Sequence, residues 1–195
     1  MAKTEVSIVR TCEHPGGDEI EAAVRNAIHL IGGLGGVVAK GSRVVIKPNL
    51  VVARTPASGA TTDPRVCRAI ADLVMESGGK PVIAESSFVG LNTEEAIEVA
   101  GYQQLRKDGY EVIDLKQQGI EKVMVPVPHG HVLREVLLPR IVVDADVVIT
   151  VPKMKTHDQS GATLGVKNMK GILPDVWKRK FHRVFGVFQS TADLL

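Results

Sequence analysis

Short β-rich runs alternate with amphipathic helical segments along this chain, and that alternation constrains its fold more than any other feature. Residues 5–10 (EVSIVR) read as a first strand. Asp18 with Glu21 forms a capping box ahead of an apolar stripe at Ile20, Val24, Ala27, Ile28 and Ile31, and Gly32-Gly33 ends that helix. Residues 43–46 (RVVI) are a second strand, stopped by Lys47-Pro48. Asp63-Pro64 supplies the N-cap and first position of a second helix, whose apolar face is Val66, Ala69, Ile70, Leu73 and Val74 and which closes at Gly78. Residues 81–85 are a third strand; Asn92 or Thr93 then caps a helix through Ala100, and a short one runs to Lys107. Residues 110–114 are a fourth strand, and residues 146–151 a buried one ending at Pro152. Residues 122–127 and 131–138 alternate apolar and polar around Pro128-His129-Gly130, the pattern of an antiparallel pair. Strands alternating with helices predict an α/β fold with a mostly parallel sheet flanked by helices, plus an antiparallel hairpin near residues 122–138. No repeat, low-complexity tract or linker divides the 195 residues, so residues 1–195 read as a single domain.

Several function classes drop out early. Two cysteines, Cys12 and Cys67, cannot build a disulfide framework or an iron–sulfur cluster within this chain. No apolar run reaches the roughly 18 residues of a membrane span, and MAKTEVSIVR lacks the apolar core of a secretory signal, so a cytoplasmic location is expected. Gly32-Gly33-Leu34-Gly35-Gly36 follows a helix and lacks the G-x-G-x-x-G spacing, and residues 36–42 (GVVAKGS) lack the P-loop lysine. His129 and His131, with Glu135 nearby, could ligate a metal, but a hairpin tip explains them as well. Cys67 borders the helix face starting at Val66 and is expected to pack.

The chemistry concentrates where strands deliver their carboxyl ends, the usual ligand side of such a sheet. Those ends carry Lys47-Pro48-Asn49, Glu85-Ser86-Ser87, Asp114 and then Lys153, Lys155 and His157. The segment 152–174 (PKMKTHDQSGATLGVKNMKGILP) reads as too polar and glycine-rich for regular structure. It offers Lys153, Lys155, Lys167 and Lys170, with Ser160, Gly161, Thr163 and Asn168 among them. Lysines and backbone N–H groups suit an anion, and Gly161, Gly165 and Gly171 permit close backbone approach or positive φ. His157 and His182 are the candidates for proton transfer near neutral pH, or for a metal if one binds. A lysine crowded by cations has a lowered pKa and becomes a base or nucleophile.

These residues also carry a resemblance. Lys47-Pro48-Asn49, Thr62-Asp63-Pro64, Gly101-Tyr102, Asp144-Ala145-Asp146, Pro152-Lys153-Met154-Lys155-Thr156-His157 and Lys167-Asn168-Met169-Lys170-Gly171 with His182 resemble the domain-of-unknown-function family 362 over nearly the whole chain. Members are often joined to a bacterial-type ferredoxin domain; that cysteine module is absent from this sequence. The resemblance implies that the family continues past the point matching Leu195 into a second half. A further similarity is to the nickel-pincer lactate racemase, where a histidine, a Ser-Gly glycine-rich loop, a lysine and a later histidine line a cleft. His157, Ser160-Gly161, Lys167 and His182 occur in the same order, but Lys167 lies six positions past Gly161, whereas the racemase lysine directly follows its glycines.

The formal charge of +2 conceals a division. Residues 1–152 carry a net −3 and residues 153–183 a net +6. A helix over 175–189 places Trp177, Phe181, Phe185 and Phe188 on one face, with Lys178, Arg179, Lys180 and Arg183 opposite. Three functions compete on this reading. In the first, an enzyme or enzyme accessory binds a small anion. Lys47, Lys153 and Lys155 hold it, Asn49, Thr163 and Asn168 orient it, and Lys155, His157, Lys167 and His182 carry the chemistry. Glu85, Ser86, Ser160, Gly161 and Lys170 complete the ligand-binding set. In the second, the basic 153–183 region docks a ferredoxin-type protein. In the third, a half-domain without independent activity dimerises through the aromatic face of 177–188. The remaining aromatics, Phe88, Tyr102 and Tyr110, are too scattered to stack nucleic-acid bases.

Overall fold

A computed structural model describes residues 4–157 and 161–195. In chain order its elements are α1 (Gly17–His29), β1 (Arg43–Lys47), α2 (Pro64–Glu76), β2 (Lys80–Glu85), α3 (Thr93–Val99), α4 (Tyr102–Lys107), β3 (Val112–Asp114), β4 (Lys122–Pro126) and β5 (Glu135–Pro139). They continue with α5 (Arg140–Val143), β6 (Val147–Thr150), β7 (Lys155–His157), β8 (Gly161–Thr163), α6 (Gly165–Asn168), α7 (Asp175–Arg183) and α8 (Val187–Asp193).

The fold is α/β, as the alternation predicts. A four-stranded parallel sheet has the order β3-β2-β1-β6. Its central strand, β1, is apolar on both faces. Val44 and Ile46 pack with Ile83 against Cys67, Ile70, Ala71 and Val74 of α2 and against Tyr102 and Leu105 of α4. Val45 faces the other way, with Ala84, Leu115, Val142 and Ile172. Burying such side chains is worth about 1.5–3 kcal/mol each, which fixes the strand's place at the centre. Helix α2 starts as its sequence dictates: Asp63 accepts a hydrogen bond from the Arg65 N–H at 2.9 Å, and Pro64 takes the first position. Asn92 likewise caps α3 by accepting from the Glu94 N–H. Cys67 is fully buried, its thiol beside the Tyr102 hydroxyl and pushed up to about 12 by burial, so it packs.

The hairpin forms with β4 and β5 in register from Lys122↔Pro139 to Pro126↔Glu135. Its inner face, with Leu133 and Val136, meets Leu173, Trp177 and Phe181 in a separate cluster.

Four expectations need correction. Residues 5–10 join no described strand: Ser7 Oγ donates to the Ala27 carbonyl of α1, while Val6 is 79 % and Ile8 89 % exposed, so the segment runs against that helix and pairs with no strand of the sheet. Helix α1 begins at Gly17, so Asp18 sits inside the first turn and faces the positive end of the helix dipole without capping it. The 152–174 segment holds regular structure: β7 and β8 form a small antiparallel pair, and α6 runs into a 3-10 turn over Met169–Ile172. The helix expected over 175–189 is two helices, broken where Gly186 takes φ +77°.

Candidate functional site

The topology makes its own ligand site. β1 is flanked by β2 on one side and β6 on the other, and all three strands point their carboxyl ends the same way, to the crevice where ligands bind in open parallel sheets. Lys47, Glu85 and Thr150 are the last residues of β1, β2 and β6. The chain from β7 to α7 folds over that crevice.

The floor is a fully satisfied polar network. Lys47 Nζ donates to Glu85 Oε2 at 2.6 Å, to the Pro48 carbonyl at 2.7 Å and to Asn168 Oδ1 at 3.1 Å, and both ion-pair partners are buried. Burial pulls the Lys47 amine down, against the opposing pull of Glu85. Asn168 Nδ2 donates to the Lys47 carbonyl and to Thr150 Oγ1, which ties α6 to β1 and β6. Gly171 has to be glycine: a Cβ there would lie against the Glu85 carboxylate and 2.6 Å from Lys47 Nζ.

Above this floor lies a cavity of about 230 Å³. Asn49, Glu85, Ser86, Lys155, His157, Thr163, Lys167, Asn168, Lys170 and His182 line it, together with Lys178. Lys155 Nζ donates to Asn49 Oδ1 and to the Ala60 carbonyl, both at 2.6 Å. Burial lowers its pKa, and Lys167, Lys47 and Lys153 add to the shift against the pull of Glu85. Lys170 Nζ meets His182 Nε2. Burial first and then Lys167 hold Lys170 at about 8. Thr163 Oγ1 is buried at the cavity wall with no hydrogen-bond partner among the described residues.

Most of the residues expected from sequence therefore converge, but not all. Lys47 sits beneath the cavity with its ammonium fully engaged, so it positions Glu85 and Asn168 and does not itself line the space. Lys153 lies elsewhere, in a surface depression beside Asp63 and Arg65. Gly161 takes φ +67° where β8 begins, away from the cavity lining. Ser160 falls outside the described residues. His129 and His131 line a separate groove by Asp193. Among the described residues, no group of three or more His, Cys, Asp or Glu side chains is placed to hold a metal ion.

Lys178 escaped the sequence reading. Helical spacing put it on a solvated basic face, yet it is 4 % exposed, and its Nζ donates to the Ser86 carbonyl, Ser86 Oγ and the Ser87 carbonyl at 2.6–2.8 Å. Burial brings it down to about 7. Its only sequence signal is its place one residue after Trp177 in a helix that packs tightly. The basic segment is thus turned partly inward, with Lys170 and Lys178 facing the cavity and Arg179, Lys180 and Arg183 exposed. The aromatic face is also occupied: Trp177 and Phe181 are buried under the hairpin, Phe185 packs on both, and Phe188 is 70 % exposed.

The comparisons agree with the motifs. The sequence profile of the domain of unknown function DUF362 matches residues 44–193. This chain belongs to that family. It is also 34 % identical over 181 residues to the thylakoid-associated protein sll1697 of Synechocystis sp., an alignment covering 93 % of this chain and 54 % of the relative. The chain thus spans about half the length of the curated relative it matches. Among the described residues, no helix is long and apolar enough to cross a membrane. The profile spans every cavity residue from Asn49 to His182, so the site lies within the family's shared domain.

Proposed function

We propose that this DUF362 chain binds a small anion, a carboxylate or a phosphate, in the cavity beyond β1, β2 and β6, as an enzyme or as the ligand-binding half of one. One observation carries the reading. The cavity wall holds Lys155, Lys167, Lys170 and Lys178 with a single described carboxylate, Glu85, which is already paired with Lys47. Cations gathered in a low-dielectric space repel one another, and an anion among them relieves that cost. The Thr163 hydroxyl, without a hydrogen-bond partner among the described residues, offers a further donor to such a ligand. His157 and His182, on the same wall, can take or give a proton on the bound molecule.

In this arrangement Lys155 and Lys167 hold the charge, Asn49 and Asn168 fix Lys155 and the floor, and Thr163 sets orientation. The test is a titration with inorganic phosphate and with 2-hydroxybutanoate, read by the fluorescence of Trp177 or by calorimetry. Wild-type protein should bind at least one of them. Lys155→Met and His157→Ala should weaken binding at least tenfold while the melting temperature moves by only a few degrees. Variants that bind as wild type would remove these residues from the site.

A further inference from the structure

We infer that Lys170 is the nucleophile of this cavity, forming an imine with a small oxo acid whose carboxylate is held by Lys155 and Lys167. The inference rests on the anion-site reading and adds the reactive group and the substrate class.

The amines around the site differ in what they touch. Lys47 is held by a carboxylate, a carbonyl and an amide oxygen. Lys178 gives its protons to three oxygens. Lys155 donates to two. Burial lowers all three amines, but every partner named here is an oxygen acceptor, and none of those oxygens is a base that would take a proton from the amine. Lys170 instead meets the imidazole of His182, a nitrogen base. An imidazole nitrogen, unlike those oxygens, is a base that can accept a proton from the amine and leave it neutral. Lys170 is also largely buried, 9 % exposed, and borders the cavity. Burial and the charge of Lys167 favour the neutral form.

Substrate class follows from size and charge. Lys155, Lys167 and Lys170 line the same cavity. A cavity of about 230 Å³ holds only a small molecule. The anionic group and the electrophilic carbon must therefore be close neighbours in one compact ligand, as in an oxo acid.

The step balances without any oxidant or reductant. The Lys170 nitrogen lone pair forms a bond to the carbonyl carbon, and the C=O π pair moves to oxygen, which takes a proton. The nitrogen then loses a proton, for which His182 is the adjacent acceptor. The protonated hydroxyl departs as water, leaving C=N, so amine plus carbonyl gives imine plus one water.

Borohydride trapping tests this. Wild-type protein is incubated with 2-oxobutanoate, reduced, and analysed by intact mass and peptide mapping, while reversible binding of 2-oxobutanoate and 2-hydroxybutanoate is measured in parallel. The expected result is one adduct, heavier by the oxo acid less one oxygen atom, mapping to Lys170. Lys170→Arg, which keeps a cation at the cavity wall, should lose the adduct. Should Lys170→Arg fold poorly, His182→Gln provides the second variant, with adduct formation slowed at least tenfold. If both acids bind and no adduct forms, or the adduct maps to another lysine, the Lys170 assignment is overturned and the anion site stands. If neither acid binds but phosphate does, the oxo-acid assignment falls alone; if nothing binds, both readings fall.

Discussion

Glu85 shows how much one residue holds at this site. Its Oε2 accepts from Lys47 Nζ and from the Leu50 N–H, and its Oε1 accepts from the Ser86 N–H, so strand end, following loop and ion pair share one carboxylate. Removing one partner of a buried pair strands the other charge, at a cost of about 3–5 kcal/mol. Glu85→Gln should lower stability by about that amount in urea denaturation, and Lys47→Met with Glu85→Leu should recover a large part of it. A Glu85→Gln midpoint matching wild type would contradict the network. Lys47, Asn49 and Glu85 were legible in the sequence because polar residues directly after buried strands have few places to go. Lys178 was not: its burial comes from carbonyls of Ser86 and Ser87, ninety-odd positions away, and local spacing carries no trace of them.

At the scale of elements, α7 closes the site, and its hold on β2 is pH-sensitive. Lys178 ionises near 7 in the folded protein, while an unfolded lysine ionises near 10.4. Between those values the unfolded chain binds more protons, so this residue's contribution makes stability rise with pH; below about 7 the full cost of burying the ammonium remains. The stability of wild type relative to Lys178→Met should therefore increase from pH 7 to pH 10, by up to about 4 kcal/mol. A flat difference across that range would contradict the buried placement of the ammonium. Helix α8 is fastened separately: Asp193 Oδ2 accepts from the Val132 and Leu133 N–H groups, which holds the hairpin loop against the C-terminal helix. Asp193→Ala should free those amides and speed hydrogen exchange in residues 131–133, and unchanged exchange would contradict the clamp. The parallel strands, α2, α3 and the hairpin were readable because burial pattern and capping residues agree there. The 5–10 segment has strand propensity but no partner, and Gly186 splits a helix whose apolar spacing continues across it.

For the whole molecule, the division of charge becomes an inside and an outside. The scaffold of residues 1–152 is acidic, and the +6 segment beyond it wraps over the sheet crevice, placing four of its lysines on one cavity. Fold class and most cavity residues followed from the order of strands, helices and polar strand ends. The sorting of lysines into floor, wall and surface did not, because only tertiary packing decides it. Lys170, held at about 8, should gain a proton when an anion enters beside it. Calorimetric titration with inorganic phosphate and 2-hydroxybutanoate at pH 8, in two buffers of different ionisation enthalpy, reads binding and proton exchange together. Saturable binding of at least one anion with net proton uptake is expected. Binding of neither, or binding without proton uptake, would contradict it.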